Sequence, residues 1–398
     1  MPGQRPPPAS SNLRALAAAA TVLLGCGGGI PLERPTGGAD GGEAADPAGQ
    51  PTEAPDAGAD AGAETLDGGE VPDAGTPLPP MVMPDFIVGY NEAWFGPWFG
   101  TGLTSDFDPG YARSVLDGIK LGGGRVVRLF LFELGQGLVL APSTPRTQGL
   151  SPQLLANLEW VIVEARQRGL WVYLTALESN HMAVYAPLAD YYPALLANTG
   201  GEGDAFNERV LGPLLEMLDR HAENIFGLDI ANELDAAKSD GLWSGLPLDP
   251  VGPRAFIQRT RDFIKSRSPW LRVTVTLGKG GTAQYDLASG FLSGLGLDFY
   301  DVHLYSDNGT FGGATALCDR ATLDGVPLYL GEFGQKTQVW NDTLHYAAAA
   351  NFLNGAKAGC FKGALAWRFD AAEATWAYQL PDGGLRPAAQ VIQAFSGP

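Results

Sequence analysis

The chain has 398 residues, of which 45% are hydrophobic, and it carries a formal net charge of −18 at neutral pH. Its length allows one large domain or two ordinary ones. The acidic balance argues against nucleic acid as a partner, because both molecules would be negatively charged. A neutral substrate such as a polysaccharide is compatible with this charge.

Residues 1–26 have the pattern of an export signal. Two arginines accompany an apolar run, 15–24, which is too short to span a bilayer as a mature helix. The run ends at Leu23-Leu24-Gly25-Cys26, which resembles a bacterial lipobox, where the cysteine is acylated and becomes the mature N-terminus. We therefore predict a lipid anchor at Cys26, with an ordinary signal peptide as the alternative. Gly27 carries no retention charge, which favours the outer membrane.

Residues 27–80 consist mainly of Gly, Ala, Pro, Asp and Glu. Such a segment cannot bury enough apolar surface to offset the entropy of ordering, so we predict a disordered linker. Its 11 acidic residues and single arginine keep it extended. The signal contributes +2 and the linker −10 to the total of −18, which leaves −10 for a folded domain at 81–398.

From residue 84 onward, short β-rich runs alternate with helical stretches. The runs are bounded by Gly, Pro or polar turns, as strands commonly are. The eight predicted strands are 86–90, 126–131, 170–174, 227–231, 273–277, 300–305, 328–331 and 363–367. The clearest helix, 151–168, begins with Ser151 as N-cap and Pro152 at the first helical position. Further helices are predicted at 213–222, 256–265 and 343–356.

This alternation predicts an α/β fold, a (β/α)8 TIM barrel preceded by the signal peptide and the linker. A doubly wound open sheet is the alternative. No Gly-rich phosphate fingerprint follows the first strand, which weakens that alternative.

Enzymes built on this barrel carry their catalytic groups at the C-terminal ends of the strands. Asn232-Glu233 ends the fourth predicted strand, and Glu332 ends the seventh. A glycosidase needs two carboxyl groups that flank the scissile bond, and a retaining enzyme needs them about 5–5.5 Å apart. The two glutamates are therefore candidate catalytic residues.

The residues at these strand ends resemble clan A of the glycoside hydrolases, and within it family 5, the cellulase and β-mannanase group. The resemblance covers residues 84–398. It rests on Ile230-Ala231-Asn232-Glu233, Leu330-Gly331-Glu332-Phe333-Gly334, His303-x-Tyr305, Arg128 and Trp367. The chain departs from the family at Leu234, where proline is usual, and after the third strand, where many members have a histidine.

The resemblance implies a role for each matched residue. Glu233 corresponds to the acid/base, Glu332 to the nucleophile, and Asn232 to the residue that binds the sugar 2-hydroxyl. Tyr305 and Arg128 correspond to groups that donate hydrogen bonds to the nucleophile. His303 corresponds to a histidine that lines the same subsite, and Trp367 to the aromatic residue beneath the sugar. No cofactor is implied, because carboxyl groups and water suffice. The four histidines are scattered, so we predict no metal site.

Four aromatic residues crowd the loop after the first strand: Trp94, Phe95, Trp98 and Phe99. Either sugar binding, particularly by Trp94 and Trp98, or packing explains them. Glu92 and Glu133 are interpreted as loop or subsite acids. Beyond Cys26, the cysteines are Cys318 and Cys360. An exported protein permits a disulfide between them, and the bonded and free states are both open.

These observations predict a retaining endo-β-1,4-glycanase that acts by double displacement on β-mannan or β-glucan. β-Mannan is placed first, because segments 89–95 and 158–170 look most like the β-mannanase branch. An exo-acting β-glycosidase and a non-catalytic carbohydrate-binding surface lipoprotein are the alternatives. We expect a monomer whose partners are a polysaccharide and, through Cys26, a membrane.

Overall fold

A computed structural model describes residues 80–96, 102–141, 146–179, 188, 190–235, 251–278, 283–306, 311–312, 314–335, 341–370 and 377–396. The predicted signal, nearly all of the predicted linker, Cys26 and Trp98 lie outside the described residues. No helix in the described ranges is long and apolar enough to cross a membrane.

Nine short strands form one parallel sheet within the described residues. They are β1 (Ile87–Asn91), β2 (Val126–Phe130), β5 (Trp171–Glu178), β6 (Ile225–Asn232), β7 (Val273–Thr274), β8 (Thr276–Leu277), β9 (Tyr300–Tyr305), β10 (Leu328–Gly334) and β11 (Phe361–Ala366). A separate antiparallel hairpin, which the sequence did not predict, consists of β3 (Leu138–Leu140) and β4 (Thr147–Leu150).

The sheet closes on itself. Its neighbours run in the order β7-β6-β5-β2-β1-β11-β10-β9-β8. Strands β7 and β8 belong to one segment that is interrupted at Val275, and β7 pairs with β6 while β8 pairs with β9. The predicted (β/α)8 barrel is therefore confirmed, and the open doubly wound sheet is excluded because both edges meet in this segment.

Helices surround the sheet. They are α1 (Pro109–Leu121), α2 (Pro152–Gln167), α3 (Tyr191–Ala197), α4 (Glu202–Phe206), α5 (Gly212–Leu218), α6 (Val251–Arg267), α7 (Ala283–Ala288), α8 (Ala314–Asp324), α9 (Asp342–Ala358) and α10 (Ala389–Phe395). Short 3-10 turns at Thr199–Gly201 and Asp219–Asn224 and a π turn at Asn207–Leu211 flank α4 and α5. Helix α2 begins as predicted, since the Ser151 side chain accepts from the backbone N–H of Leu154.

The barrel interior is apolar at the N-terminal ends of its strands. The buried side chains of this layer are Ile87, Val126, Tyr173, Phe226, Phe299, Tyr329 and Leu365. Arg272, just before β7, lies 4.7 Å from the ring centroids of both Phe226 and Phe299. Its Nη1 is 3.6 Å from the Met83 sulfur, so the segment before β1 contacts this end of the barrel.

One covalent link joins two outer segments. Cys318 in α8 and Cys360 just before β11 form a disulfide, with 42 residues of separation. The bond ties a helix of the outer ring to the start of a barrel strand.

Candidate active site

A polar layer lies above the apolar one, and Arg128 of β2 is its centre. The guanidinium is fully buried. Its Nη1 donates to Oε1 of Glu332 at 2.6 Å and to Oδ1 of Asn91 at 3.0 Å, while Nη2 donates to Oδ2 of Asp229 at 3.0 Å and to Oδ1 of Asn232 at 2.7 Å. Burial opposes the charge, but the carboxylates, Glu332 first, raise the pKa of Arg128 above its usual value. The layer therefore contains a permanent positive charge.

Two buried aspartates complete the polar layer. Asp229 accepts from the hydroxyl of Thr276 at 2.6 Å. Asp301 accepts from the hydroxyl of Tyr173 at 2.5 Å and from the backbone N–H of Gly331 at 2.7 Å. A Cβ on residue 331 would lie 2.2 Å from Oδ1 of Asp301, so glycine is required for this approach. Burial raises the pKa of Asp301 to about 7.

The structure brings the two predicted glutamates together. Glu233 directly follows β6, and Glu332 lies in β10. Nδ1 of His303 is 2.9 Å from Oε1 of Glu233 and 3.3 Å from Oε2 of Glu332. One oxygen of each glutamate and one ring nitrogen of His303 all lie within 4.8 Å of one another. The hydroxyl of Tyr305 also donates to Oε2 of Glu332.

The surroundings of the two carboxyl groups differ in charge. Burial lowers the pKa of His303 to about 4, so the ring beside Glu233 is neutral at pH 7. Burial raises the pKa of Glu332 above its usual value, Arg128 opposes that rise and Glu233 adds to it. Two carboxyl groups this close disfavour being ionised together, so the pair tends to hold one proton.

The backbone around Glu233 has a conformation that few side chains adopt. The residue has a φ of 45°, which is in the left-handed region and uncommon outside glycine. Gly278, after β8, lies beside it: a Cβ at position 278 would be 2.4 Å from Oε1 of Glu233 and 2.8 Å from Cβ of His303. The backbone N–H of Gly278 donates to Oδ1 of Asp235 at 2.9 Å. This glycine makes room for the Glu233 carboxyl, and the sequence analysis missed it.

Two tryptophans form an aromatic wall near the polar layer. Trp94 and Trp367 lie edge to face with their ring centroids 6.0 Å apart. The indole N–H of Trp94 donates to Glu133, and the guanidinium of Arg368 lies 4.2 Å from the Trp94 ring centroid. Trp94 is buried, whereas Trp367 is partly exposed. Of the two, Trp367 is more accessible to a ligand.

A second group of acids lies beside this wall. Asp370 accepts from Nε of Arg368 at 2.6 Å and from the hydroxyl of Tyr111 at 3.1 Å. Glu92 is fully buried, and its hydrogen bonds are with Asp370. Burial, together with Asp370, raises the pKa of Glu92 well above its usual value. Glu92 is thus held in its neutral form.

The third barrel strand adds a residue that the sequence analysis did not single out. Strand β5 continues to Glu178, beyond the predicted end at 174. Glu178 lies opposite Asn232 in the register of β5 and β6, and its Oε2 accepts from Nδ2 of Asn232. Thr175 interrupts the apolar pattern after Leu174, so the sequence gives no local signal for this extension.

No protein-family model matches the sequence, and no curated protein matches it. Solved structures do. The fold is similar to β-1,4-D-mannanase from Cryptopygus antarcticus, with a TM-score of 0.58 and 16% identity over 79% of this chain and 90% of that one. It is similar to a variant of GH5_18 from Streptomyces cattleya in complex with Manβ1-4GlcNAc, with a TM-score of 0.60 and 18% identity over 78% and 80%.

An endoglucanase is similar as well, with a TM-score of 0.55 and 15% identity over 77% of this chain and 96% of that one. At these identities the similarity concerns the fold. The chain has the barrel fold that these mannan- and glucan-degrading enzymes share, as the resemblance to family 5 implies.

Proposed function

We propose that the protein is a retaining glycoside hydrolase of the family 5 type. The observation that carries this proposal is the pair Glu233 and Glu332 at the C-terminal ends of β6 and β10, with oxygens within 4.8 Å of one another. Retaining glycosidases place these groups about 5–5.5 Å apart, and inverting ones about 6.5–9.5 Å apart. The short separation favours double displacement.

The surroundings of the two carboxyl groups support one assignment of their roles. Arg128 and Tyr305 both donate to Glu332 and oppose the rise that burial causes in its pKa, which suits a nucleophile. His303 is neutral and gives Glu233 no full positive charge, so Glu233 keeps the shared proton and acts as the acid.

The reaction then has two steps. Glu332 attacks the anomeric carbon while the glycosidic C–O bond breaks and Glu233 protonates the departing oxygen. Glu233 next takes a proton from water, whose oxygen attacks the anomeric carbon and releases Glu332. Asn232, held by Arg128, is assigned to the sugar 2-hydroxyl, and Trp367 to the apolar face of the ring.

The proposed substrate is β-1,4-mannan, cleaved within the chain. Mannanases among the similar structures support this choice, and an endoglucanase among them makes β-glucan the second candidate. The test is release of reducing sugar from β-mannan, carboxymethyl-cellulose, mixed-linkage glucan and xylan. We expect turnover of mannan by the wild type and loss of turnover in Glu332→Ala. Release of single sugars from chain ends would indicate exo action, and binding without turnover would indicate a non-catalytic carbohydrate-binding protein.

Azide separates the two carboxyl roles. Added to Glu332→Ala, it should restore cleavage of an activated glycoside and yield a product of inverted anomeric configuration. Added to Glu233→Ala, it should yield a product of retained configuration, because the glycosyl–enzyme bond still forms. The reverse pattern would exchange the roles of the two residues.

The predicted export and anchoring are also part of the proposal. Its support is the segment Leu23-Leu24-Gly25-Cys26 at the end of the apolar run. In a bacterial host, metabolic labelling with a fatty acid should label the wild type and not Cys26→Ser. The labelled wild type should fractionate with the outer membrane. Absence of label on the wild type would indicate an ordinary signal peptide.

A further inference from the structure

The C-terminal end of β5 carries a carboxylate that the proposed mechanism does not use. Glu178 is the last residue of the strand and is only 2% exposed. Burying a carboxylate is costly unless hydrogen bonds compensate for lost water, so its contacts are informative. It lies opposite Asn232 in the pairing of β5 with β6, and Asn232 directly precedes Glu233.

The amide of Asn232 is held from both sides. Its Oδ1 accepts from Nη2 of Arg128 at 2.7 Å, and its Nδ2 donates to Oε2 of Glu178. A guanidinium can only donate and an ionised carboxylate can only accept. These two neighbours therefore fix which way the amide points. Without Glu178, the nitrogen end of Asn232 would lose this acceptor.

Glu178 also adds to the charge around Glu332. The groups that influence Glu332 come from four sides of the barrel: Arg128 from β2, Glu233 after β6, His303 and Tyr305 from β9, and Glu178 from β5. Burial raises the pKa of Glu332, Arg128 and Tyr305 oppose that rise, and Glu233 and Glu178 add to it. Glu178 thus opposes the effect of Arg128.

We propose that Glu178 is a positioning residue of the hydrolytic site. It orients the Asn232 amide so that one N–H remains for a sugar hydroxyl, and its negative charge sets the pH above which Glu332 becomes an active nucleophile. This inference rests on the function proposed above, since it assigns Glu178 to the same site. Glu178 itself acts through Asn232 and Glu332 and takes no part in bond making.

Two substitutions separate orientation from charge. Glu178→Gln keeps an acceptor for Asn232 but removes the charge, so kcat at the optimum should stay within about threefold. The acidic limb of its kcat/KM profile should move to lower pH by about half a unit. Glu178→Ala removes the acceptor as well, and its kcat should fall about tenfold with a smaller change in KM.

A matched control is Glu202→Gln. Glu202 is a buried carboxylate in α4 that accepts from the backbone N–H of Thr147 at 2.6 Å, away from the carboxyl pair. Its substitution should leave the pH profile unchanged. Wild-type kcat and an unshifted acidic limb in both Glu178 variants would overturn the inference.

A measurement without turnover makes the inference independent of the substrate. In protein labelled with ¹³C at glutamate carboxyls, Glu332 is assigned by the loss of its signal in Glu332→Gln. Its titration midpoint should be about half a unit lower in Glu178→Gln than in the wild type. An unchanged midpoint would overturn the role of the charge. Absence of turnover on every polymer, with a shifted midpoint, would instead contradict the hydrolytic function alone.

Discussion

The barrel places an arginine near each end of its strands, and the two arginines differ in their charged surroundings. Arg272 lies over the rings of Phe226, Phe299 and Tyr329 at the N-terminal end. Arg128, towards the C-terminal end, also lies over two rings, those of Phe130 and Tyr173, but it contacts two carboxylates and two amide oxygens as well. Aromatic faces stabilise a cation without carrying a formal charge of their own, whereas carboxylates bind it as a counter-ion.

The two arginines therefore contribute differently: Arg272 to the stability of the barrel, and Arg128 to the electrostatics of the carboxyl pair. At the N-terminal end the cation closes a layer of rings. At the C-terminal end burial raises the pKa of Glu332, and the Arg128 cation opposes that rise. A barrel can therefore vary one end without disturbing the other, as the separation of active site and core in this fold requires.

The largest expected effect is that of Arg128→Met. Asp229 and Glu332 would lose their buried counter-ion, and breaking a buried ion pair costs about 3–5 kcal/mol. We expect the free energy of unfolding, measured in urea, to fall by that amount, and activity to be lost. Near-wild-type stability would mean that these carboxyl groups become protonated at little cost.

Gly278→Ala should impair the site while leaving the fold intact. The new Cβ would overlap Oε1 of Glu233 and displace the carboxyl. Misplacement of a reacting group by about 1 Å can cost about 100-fold in rate, so kcat should fall by that order. The control is Gly149→Ala in the outer hairpin, where nothing lies within 4 Å of the new Cβ. Equal activities of the two variants would contradict the prediction.

Arg272→Met tests the other end of the barrel. Loss of the cation over three rings should cost about 1–2 kcal/mol of unfolding free energy. The pH dependence of kcat should be unchanged, because Arg272 is separated from the carboxyl pair by the apolar layer. A shifted pH profile would show that the two ends of the barrel are coupled and would contradict the separate roles of Arg272 and Arg128.

The smallest effect is expected for Glu92→Gln, and its sign depends on pH. Burial raises the pKa of Glu92 in the folded state, so stability is full below the unfolded pKa near about 4.3 and falls as pH rises above it. Glutamine removes this dependence and should stabilise the protein by about 1 kcal/mol at pH 7. Thermal unfolding at pH 5 and pH 8 measures it, with exposed Glu208→Gln as control. If Glu92→Gln stabilised the protein as much at pH 4 as at pH 7, the ionisation of Glu92 would not be the cause of the effect.

The starts of the strands were predictable, and several of their ends were not. Buried parallel strands are apolar runs, which a sequence displays directly. Strand β10 extends from the predicted end at 331 to Gly334, and β5 extends to Glu178, because polar residues at the barrel mouth interrupt the apolar pattern. The β3–β4 hairpin was missed because its strands are only three and four residues long.

In the candidate site, too, some residues were predictable from the sequence and others were not. Glu233 and Glu332 stand in short motifs at strand ends, so their proximity could be predicted from a barrel alone. The contacts of Gly278 and Glu178 arise from the pairing register and from the close approach of backbone segments. Neither leaves a local pattern in the sequence. Glu133, interpreted as a loop or subsite acid, accepts from the Trp94 indole, a contact that no local pattern predicts.

The contact between Met83 and Arg272 has a consequence for how the protein meets its surroundings. The segment before β1 contacts the barrel at the end opposite to Glu233 and Glu332, so the chain that precedes Pro80 joins the domain away from the two carboxyl groups. The residues between Cys26 and Pro80 reach at most about 180 Å when fully extended. For the proposed lipid anchor at Cys26, this length sets the greatest distance between the membrane and the barrel.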